Sequence, residues 1–310
     1  MLAVVFPGQG SQRVGMSVDF ARQFPEAQAV FEEANEAFGG PLADWIAEGP
    51  EETLRRTEIT QPAILTASIA AYRVLESRLP VQPSLLAGHS LGEYSALVAA
   101  GALDLAEAVR LVARRGRYMQ DAVPEGEGGM AAVLGLDGEA VSRVCREVDG
   151  TVAPANFNSP VQTVIAGDRA AIEAAGVALK SAGAKRIVPL EVSAPFHSEL
   201  MQPAMEKLGV DLVDAQLRDL RIPVISNVTA KPYRTADQAR ALLREQVCAP
   251  VRWVECVQAL RAEGAVLQLE VGPGEVLTGL AGRIDRALAR AHLSAHEDLD
   301  AALAAVGEIA

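Results

Sequence analysis

A glycine–X–serine–X–glycine turn between an apolar run and a helical pattern is the feature that most constrains the fold of this chain. The turn is Gly88-His89-Ser90-Leu91-Gly92; the apolar run Leu85–Ala87 precedes it, and an apolar helical pattern extends toward Ala100. Glycine has no Cβ, so the chain can bend sharply at Ser90 while strand and helix pack closely. The turn therefore predicts an α/β protein with the Ser90 hydroxyl raised off the end of a sheet.

A serine in this position has a chemical interpretation. Main-chain amides that follow it point out of a helix N-terminus and can stabilise an oxyanion, so such a serine typically attacks acyl groups. The motif is short, and the alternative is a glycine-rich strand-to-helix turn without any chemistry. Its position between a strand and a helix favours the nucleophile.

A nucleophilic serine needs a base, and the chain has four histidines. His89 is adjacent to Ser90, and neighbouring side chains in such a turn point apart. His292 and His296 have the i, i+4 spacing of a metal pair, but no third ligand accompanies them, so a solvated helix face is predicted instead. His197 follows a proline turn in a loop, and elimination together with that position makes it the predicted base.

The order of apolar and amphipathic stretches predicts two lobes. Short apolar runs alternate with helical patterns, which is typical of an α/β protein with a mainly parallel sheet. After a glycine-rich hinge at 124–129, the order becomes β-α-β-β-α-β, the ferredoxin-like split motif. We therefore expect a large α/β-hydrolase-like lobe of residues 1–124 and 191–310, with residues 125–190 inserted as a small ferredoxin-like lobe.

Charge and composition exclude several classes. The chain has 310 residues and a net charge of −12, which argues against nucleic acid and anionic membranes as partners. No apolar run approaches the roughly 20 residues that span a bilayer. The N-terminal segment Met1–Phe6 has no basic residue before its apolar run and predicts a first strand. Three cysteines without metal-like spacing suit a reducing compartment, so a cytoplasmic protein is expected.

Arg115 is an independent indication of function. The helical pattern from Asp104 to Met119 has one apolar face by the 3-4 spacing, and Arg115 falls on that face. Burying an arginine without an anionic partner is costly. The partner is either an internal Asp or Glu, or the carboxylate of a substrate, for which the guanidinium would form a fork-shaped clamp.

Together these residues resemble the malonyl-CoA:acyl carrier protein transacylases, the stand-alone enzymes of bacterial-type fatty acid synthesis. The matching segments occur in order over essentially the whole chain. They are Phe6–Gln12, Thr60–Ala63, Gly88–Ala96, Asn156–Pro160, Pro195–Ser198 and Glu270–Gly274.

The resemblance implies roles for the reacting groups. Ser90 would be the nucleophile and His197 its base, in a dyad without a carboxylate. The main-chain carbonyl of Gln246 would hold the imidazole. The main-chain amides of Gln9 and Leu91 would form the oxyanion hole.

The resemblance also implies the substrate-binding residues. Arg115 would grip the free carboxylate of malonate, in agreement with its place on the apolar helix face. Asn156 would line the site from the small lobe, and Gln61 lies in a matching segment. Phe196 precedes the histidine, where some relatives have a small residue; in related polyketide synthase domains a phenylalanine there accompanies malonyl rather than branched units.

The implied activity is transfer of malonyl from malonyl-CoA to the phosphopantetheine thiol of acyl carrier protein, through a malonyl-serine ester, without metal or other cofactor. The alternatives are a serine esterase or thioesterase with the same dyad, an acyltransferase of a polyketide pathway, and a non-catalytic carrier-binding module. Because carrier proteins are acidic, a basic patch is expected for docking. Its candidates are Lys180, Lys185, Arg186, Arg114 and Arg117.

Overall fold

Two separate sheets organise the part of the chain described by the computed structural model, which covers residues 1–124, 126–192 and 194–309. The strands, in chain order, are β1 (Leu2–Phe6), β2 (Leu85–Gly88), β3 (Gly128–Leu134), β4 (Val152–Ser159), β5 (Gln162–Asp168), β6 (Arg186–Pro189), β7 (Val224–Ile225), β8 (Pro232–Tyr233), β9 (Leu267–Val271) and β10 (Ala289–Leu293).

Helices pack against both sheets. In chain order they are α1 (Val18–Gln23), α2 (Pro25–Phe38), α3 (Leu42–Glu48), α4 (Glu51–Arg55), α5 (Thr57–Glu76), α6 (Gly92–Ala99), α7 (Leu105–Gln120), α8 (Gly138–Glu147), α9 (Arg169–Ser181), α10 (Gln202–Asp214), α11 (Ala236–Gln246), α12 (Trp253–Ala262), α13 (Val276–Ile284) and α14 (Leu299–Gly307). Among the described helices, none is long and apolar enough to cross a membrane.

The larger sheet is mainly parallel, as predicted. Its order is β10-β9-β1-β2-β7-β8, and only the short β8 runs antiparallel to its neighbour. Phe6 at the end of β1 is in register with Gly88 at the end of β2. The loops that leave these two central strands therefore meet at one edge of the sheet, where open α/β sheets build their sites.

The smaller sheet is antiparallel and has the order β4-β5-β3-β6. Two helices, α8 and α9, connect its strands in the β-α-β-β-α-β order that the sequence predicted. β4 also contacts a segment outside this sheet, since Val251 exchanges main-chain hydrogen bonds with Ala155 and Phe157 at 2.8 and 2.9 Å. The boundaries 125–190 for an inserted lobe stay a prediction; Glu125 itself and the terminal Ala310 lie outside the described residues.

The helix predicted around His292 and His296 is wrong. His292 lies in β10, which pairs with β9 at the edge of the large sheet, and His296 begins a short 3-10 turn. An i, i+4 spacing cannot tell an edge strand followed by a turn from a helix. Chain folding also brings Asp19 beside His296, with 3.0 Å between Oδ2 and Nδ1, a neighbour that local spacing cannot reveal.

Two glycines allow the turn at Ser90. A Cβ on Gly88 would lie 1.9 Å from the carbonyl carbon of Gly92, and a Cβ on Gly92 would lie 2.1 Å from the carbonyl oxygen of Phe6. Real Cβ atoms do not approach backbone so closely. Because glycine has no side chain at these two positions, α6 can pack against the ends of β1 and β2, with Ser90 at the junction.

Candidate active site

Ser90 and His197 meet at the carboxyl edge of the large sheet. Ser90 Oγ lies 2.8 Å from His197 Nε2. Both residues have positive φ angles, +50° for Ser90 and +59° for His197, in a region that non-glycine residues seldom occupy. Two left-handed residues in direct contact are a form of local strain that proteins concentrate at functional sites.

The hydrogen bonds of His197 fix its tautomer. Nδ1 lies 2.8 Å from the carbonyl oxygen of Gln246 and 3.2 Å from that of Ala249. Carbonyl oxygens only accept, so Nδ1 carries the proton and donates to them. Nε2 is left unprotonated and accepts from the Ser90 hydroxyl, which is the arrangement a general base requires.

Two effects keep this imidazole neutral. Burial, and next the positive charge of Arg115, lower the pKa of His197 to about 3. The imidazole is only 4 % exposed. It therefore stays unprotonated and able to take a proton at all pH values near neutrality.

Two main-chain amides beside Ser90 are available for an oxyanion. Gln9 and Leu91 both line the cavity that contains Ser90, and no described residue accepts a hydrogen bond from either N–H. Gln9 follows β1, and Leu91 is the N-cap residue immediately before α6. The N–H of Ser90 itself is occupied, because it donates to Asn227 Oδ1 at 2.6 Å.

Arg115 enters the same cavity from α7 and is 1 % exposed. Its Nη1 donates to Gln61 Oε1 at 2.8 Å, and its Nη2 donates to Gln246 Oε1 at 3.1 Å and to Ser90 Oγ at 3.3 Å. Its buried Nε has no hydrogen-bond partner among the described residues. Among the described residues no Asp or Glu pairs with the guanidinium within 4.0 Å, so a direct contact with an internal acid is absent there, although the charge of the buried Glu93 acts on Arg115 from a longer distance.

The other predicted binding residues surround this centre. Gln61, Asn156 and Phe196 line the cavity together with Ser90 and Arg115. Asn156 comes from β4 of the small sheet, so both sheets contribute to the site.

His89 also lines the cavity, but it is bound elsewhere. Its Nε2 lies 2.8 Å from Asn158 Oδ1, and its ring packs 5.5 Å from that of Trp253. The prediction that its side chain points away from Ser90 agrees with these contacts.

The sequence did not indicate two buried polar residues that lie behind Ser90. Asn227, just after β7, accepts from the Ser90 N–H and donates from Nδ2 to the Gly88 carbonyl at 2.8 Å. Glu93, on the first turn of α6, accepts from Gln246 Nε2 at 2.7 Å. Asn227 could have been found, because it is a polar residue at the carboxyl end of a strand that lies beside β2. Glu93 could not, because its sequence position is that of an ordinary acidic residue in the first turn of a helix.

The comparisons with known proteins agree with this geometry. The profile of the acyl transferase domain family matches residues 3–288. The malonyl CoA-acyl carrier protein transacylase of Escherichia coli K12 is 49% identical over 303 residues, which cover 97% of this chain and 98% of that protein. The protein of the same name from Bacillus subtilis strain 168 is 45% identical over 310 residues, 99% of this chain and 98% of that protein.

Solved structures have the same fold. A complex of a type II polyketide synthase acyl carrier protein with its malonyl-transacylase contains a chain that superposes with a TM-score of 0.96 at 48% identity, covering 98% of this chain and 99% of that one. An acyl carrier protein S-malonyltransferase from Vibrio cholerae superposes with a TM-score of 0.94 at 47% identity, covering 97% and 99%. This chain belongs to the acyl transferase domain family.

Proposed function

We propose that this protein transfers the malonyl group of malonyl-CoA to the phosphopantetheine thiol of an acyl carrier protein, through a malonyl ester of Ser90. The observation that carries the proposal is the Arg115 guanidinium beside Ser90, which is buried and, among the described residues, has no carboxylate in contact and no hydrogen-bond partner for its Nε. A dicarboxylic half-ester supplies the missing anion, and a fork-shaped guanidinium suits a carboxylate.

In the first half-reaction the Ser90 hydroxyl gives its proton to His197 Nε2 as its oxygen bonds to the thioester carbon. The resulting oxyanion would accept hydrogen bonds from the amides of Gln9 and Leu91, and one such donor is typically worth about 3 kcal/mol of barrier. The Nδ1–H bond to the Gln246 carbonyl holds the imidazolium in place. The carbon–sulfur bond then breaks, and His197 returns the proton to the departing CoA sulfur.

In the second half-reaction the thiol of the carrier's phosphopantetheine gives its proton to His197 and attacks the malonyl ester. The same oxyanion hole serves, the carbon–oxygen bond breaks, and His197 protonates Ser90 Oγ. The groups described above suffice for both steps, so we propose that neither metal nor other cofactor takes part. The proposal includes a cytoplasmic site of action, as expected from the cysteines, and a cleft between an inserted lobe of residues 125–190 and the rest of the chain.

A polyketide acyltransferase is the second candidate, because one of the similar structures is a malonyl-transacylase bound to a polyketide carrier protein. The reaction is the same and the carrier differs. A serine esterase is less well supported, since simple esters leave Arg115 without an anion.

Intact mass spectrometry after mixing with malonyl-CoA tests the proposal. We expect a malonyl adduct on the wild-type chain, removed by addition of a phosphopantetheine-bearing carrier protein, and no adduct on Ser90→Ala. Acetyl-CoA is the matched thioester without a carboxylate and should label the chain poorly. An adduct that persists on Ser90→Ala would show that another residue is the nucleophile.

A further inference from the structure

Glu93 is a buried carboxylate that the proposed mechanism leaves unused. It is 1 % exposed and accepts three hydrogen bonds. Oε2 accepts from Gln246 Nε2 at 2.7 Å and from the Asn227 N–H at 3.1 Å, and Oε1 accepts from the Tyr233 hydroxyl at 3.0 Å. A charge this deep in the chain, one turn after the nucleophile, calls for a role beyond filling space.

Gln246 connects this carboxylate to the reacting groups. A carboxylate accepts only, so Glu93 forces the Nε2 end of the Gln246 amide toward itself. The Oε1 end then faces Arg115 Nη2 at 3.1 Å, where a flipped amide would set donor against donor. The main-chain carbonyl of the same residue holds His197 Nδ1.

Asn227 connects it to the nucleophile. Its N–H donates to Glu93, while its side chain accepts from the Ser90 N–H and donates to the Gly88 carbonyl. Gln246 Nε2 adds a 3.2 Å hydrogen bond to the Ser90 carbonyl. One carboxylate thus fixes the donors and acceptors that orient Ser90, His197 and Arg115.

This inference rests on the proposed function. We propose that Glu93 is a positioning residue for acyl transfer and also the counter-charge of Arg115, from which the side-chain amide of Gln246 separates it. The intervening amide of Gln246 separates the two charges, which leaves the guanidinium open to the substrate's carboxylate. The negative charge also stabilises the imidazolium that forms on His197 during each half-reaction, against the opposing charge of Arg115.

The charge state of Glu93 changes within the working range of pH. Burial raises the pKa of Glu93 to about 7, although its hydrogen bonds and Arg115 act in the opposite direction. The groups that face it are Tyr94 on its own helix, Arg115 on α7, Tyr233 on β8 and Cys256 on α12. Burial raises the pKa of the two tyrosines and of the Cys256 thiol far above 7, so none of them ionises near neutrality.

Glu93→Gln separates the charge from the hydrogen bonds, because the new amide oxygen can still accept from Gln246. Glu270→Gln is the matched control. Glu270 is an equally buried carboxylate, on β9, and accepts from the N–H groups of Leu277 and Thr278. It contacts none of the four residues Ser90, His197, Arg115 and Gln246 among the described contacts.

The test is the rate of Ser90 acylation by malonyl-CoA in single turnovers, between pH 5.5 and 9. For the wild type and Glu270→Gln we expect the rate to rise as pH increases through about 7, when Glu93 ionises. For Glu93→Gln we expect a flat profile and, at pH 8, a rate about tenfold lower, equivalent to one pKa unit at His197. The malonyl-CoA concentration for half-maximal rate should not rise, because removing a nearby anion does not weaken the hold of Arg115 on a carboxylate.

Tyr233→Phe provides a second variant if Glu93→Gln does not fold. It removes one hydrogen bond to the charged carboxylate and leaves Gln246 untouched, so the rise in rate should shift to higher pH. Equal profiles for wild type, Glu93→Gln and Tyr233→Phe, or equal losses in Glu93→Gln and Glu270→Gln, would overturn the role of Glu93. Absence of any malonyl adduct on the wild type would instead overturn the proposed function.

Discussion

Arg115 Nη2 lies 3.3 Å from Ser90 Oγ, so the fixed positive charge of the cavity stands directly beside the candidate nucleophile. The charge has two consequences. It lowers the pKa of His197, after the larger effect of burial, and it presents a carboxylate-binding group within reach of a thioester bound at Ser90. We therefore expect one side chain, Arg115, to influence both the selectivity for an acidic substrate and the protonation of His197.

Arg115→Ala should lower malonyl transfer roughly 10- to 150-fold, since one hydrogen bond to a charged group contributes about 1.5–3 kcal/mol. Acetyl transfer has no carboxylate to lose, so the acetyl-to-malonyl ratio should rise. Arg115→Lys should recover only part of the activity, because lysine cannot form the fork. The measurement is kcat/KM for each thioester.

Arg114→Ala is the matched control, since Arg114 is exposed on the same helix and pairs with Asp211 at 2.8 Å. It should leave the ratio unchanged. If Arg115→Ala also left the ratio unchanged, Arg115 would be a structural residue only.

His197→Ala should slow the acylation of Ser90 by about 10²- to 10⁴-fold, the usual contribution of a general base. His89→Ala removes the other histidine of the cavity, which is bound to Asn158 instead of Ser90. Quenched-flow measurement of the malonyl adduct compares the two. A larger loss in His89→Ala than in His197→Ala would show that His89, and not His197, is the base.

His197 should also make the folded chain sensitive to acid. The pKa of His197 is about 3 in the fold and about 6.5 when unfolded, so between these values the unfolded chain binds the proton and the folded chain does not. Stability from this group is complete above pH 6.5 and falls as pH decreases toward 3, by up to about 1.4 kcal/mol per pH unit.

Chemical denaturation at pH 7.5 and 5.0 measures this effect. His197→Gln keeps a side-chain donor without a titrating group, so its free energy of unfolding should fall less than that of the wild type. An equal fall in both proteins would contradict the neutral, buried imidazole.

Gly92→Ala should destabilise the chain by about 1–3 kcal/mol or more, the usual cost of overpacking. The new Cβ would lie 2.1 Å from the Phe6 carbonyl oxygen and 2.9 Å from that of Pro7. Gly279→Ala is the control, because Gly279 is inside α13 and a Cβ there meets nothing within 4 Å. Helix propensity predicts that it stabilises by about 0.5–1 kcal/mol, and thermal unfolding of both variants tests the contrast.

Local sequence patterns predicted most of the fold, and features that depend on long-range contacts could not be predicted from them. The β-α-β-β-α-β order of the small sheet could be predicted because each element has its own periodicity. Arg115 could be predicted because a charge on an apolar helix face is visible in one helix. The contact between Asn227 and Glu93 could not, because they are 134 residues apart and meet only when β7 lies beside β2. His292 was misassigned for the same reason: only its pairing with β9 makes it a strand residue.

Docking of an acidic carrier protein should depend on exposed basic residues near the cavity. This chain has a net charge of −12, so an acidic carrier is repelled at long range and needs a local basic patch. Lys185 and Arg186 are exposed at the start of β6, and Leu190, just after the end of that strand, lines the cavity. Arg114 is a weaker candidate because it is already paired with Asp211. Charge reversal of both residues, Lys185→Glu with Arg186→Glu, should raise KM for the carrier and leave the acylation of Ser90 by malonyl-CoA unchanged, because the two half-reactions are separate.

Arg22→Glu with Arg286→Glu makes the same change in net charge at exposed positions that are not part of the small sheet, and it should raise the carrier KM much less. Added salt should weaken the carrier step of the wild type, since exposed charges are screened beyond about 8 Å at physiological ionic strength. If the two double variants raised the carrier KM equally, the cause would be the net charge of the chain and not a local basic patch. A carrier KM that responds to neither variant nor to salt would leave apolar contacts as the basis of docking.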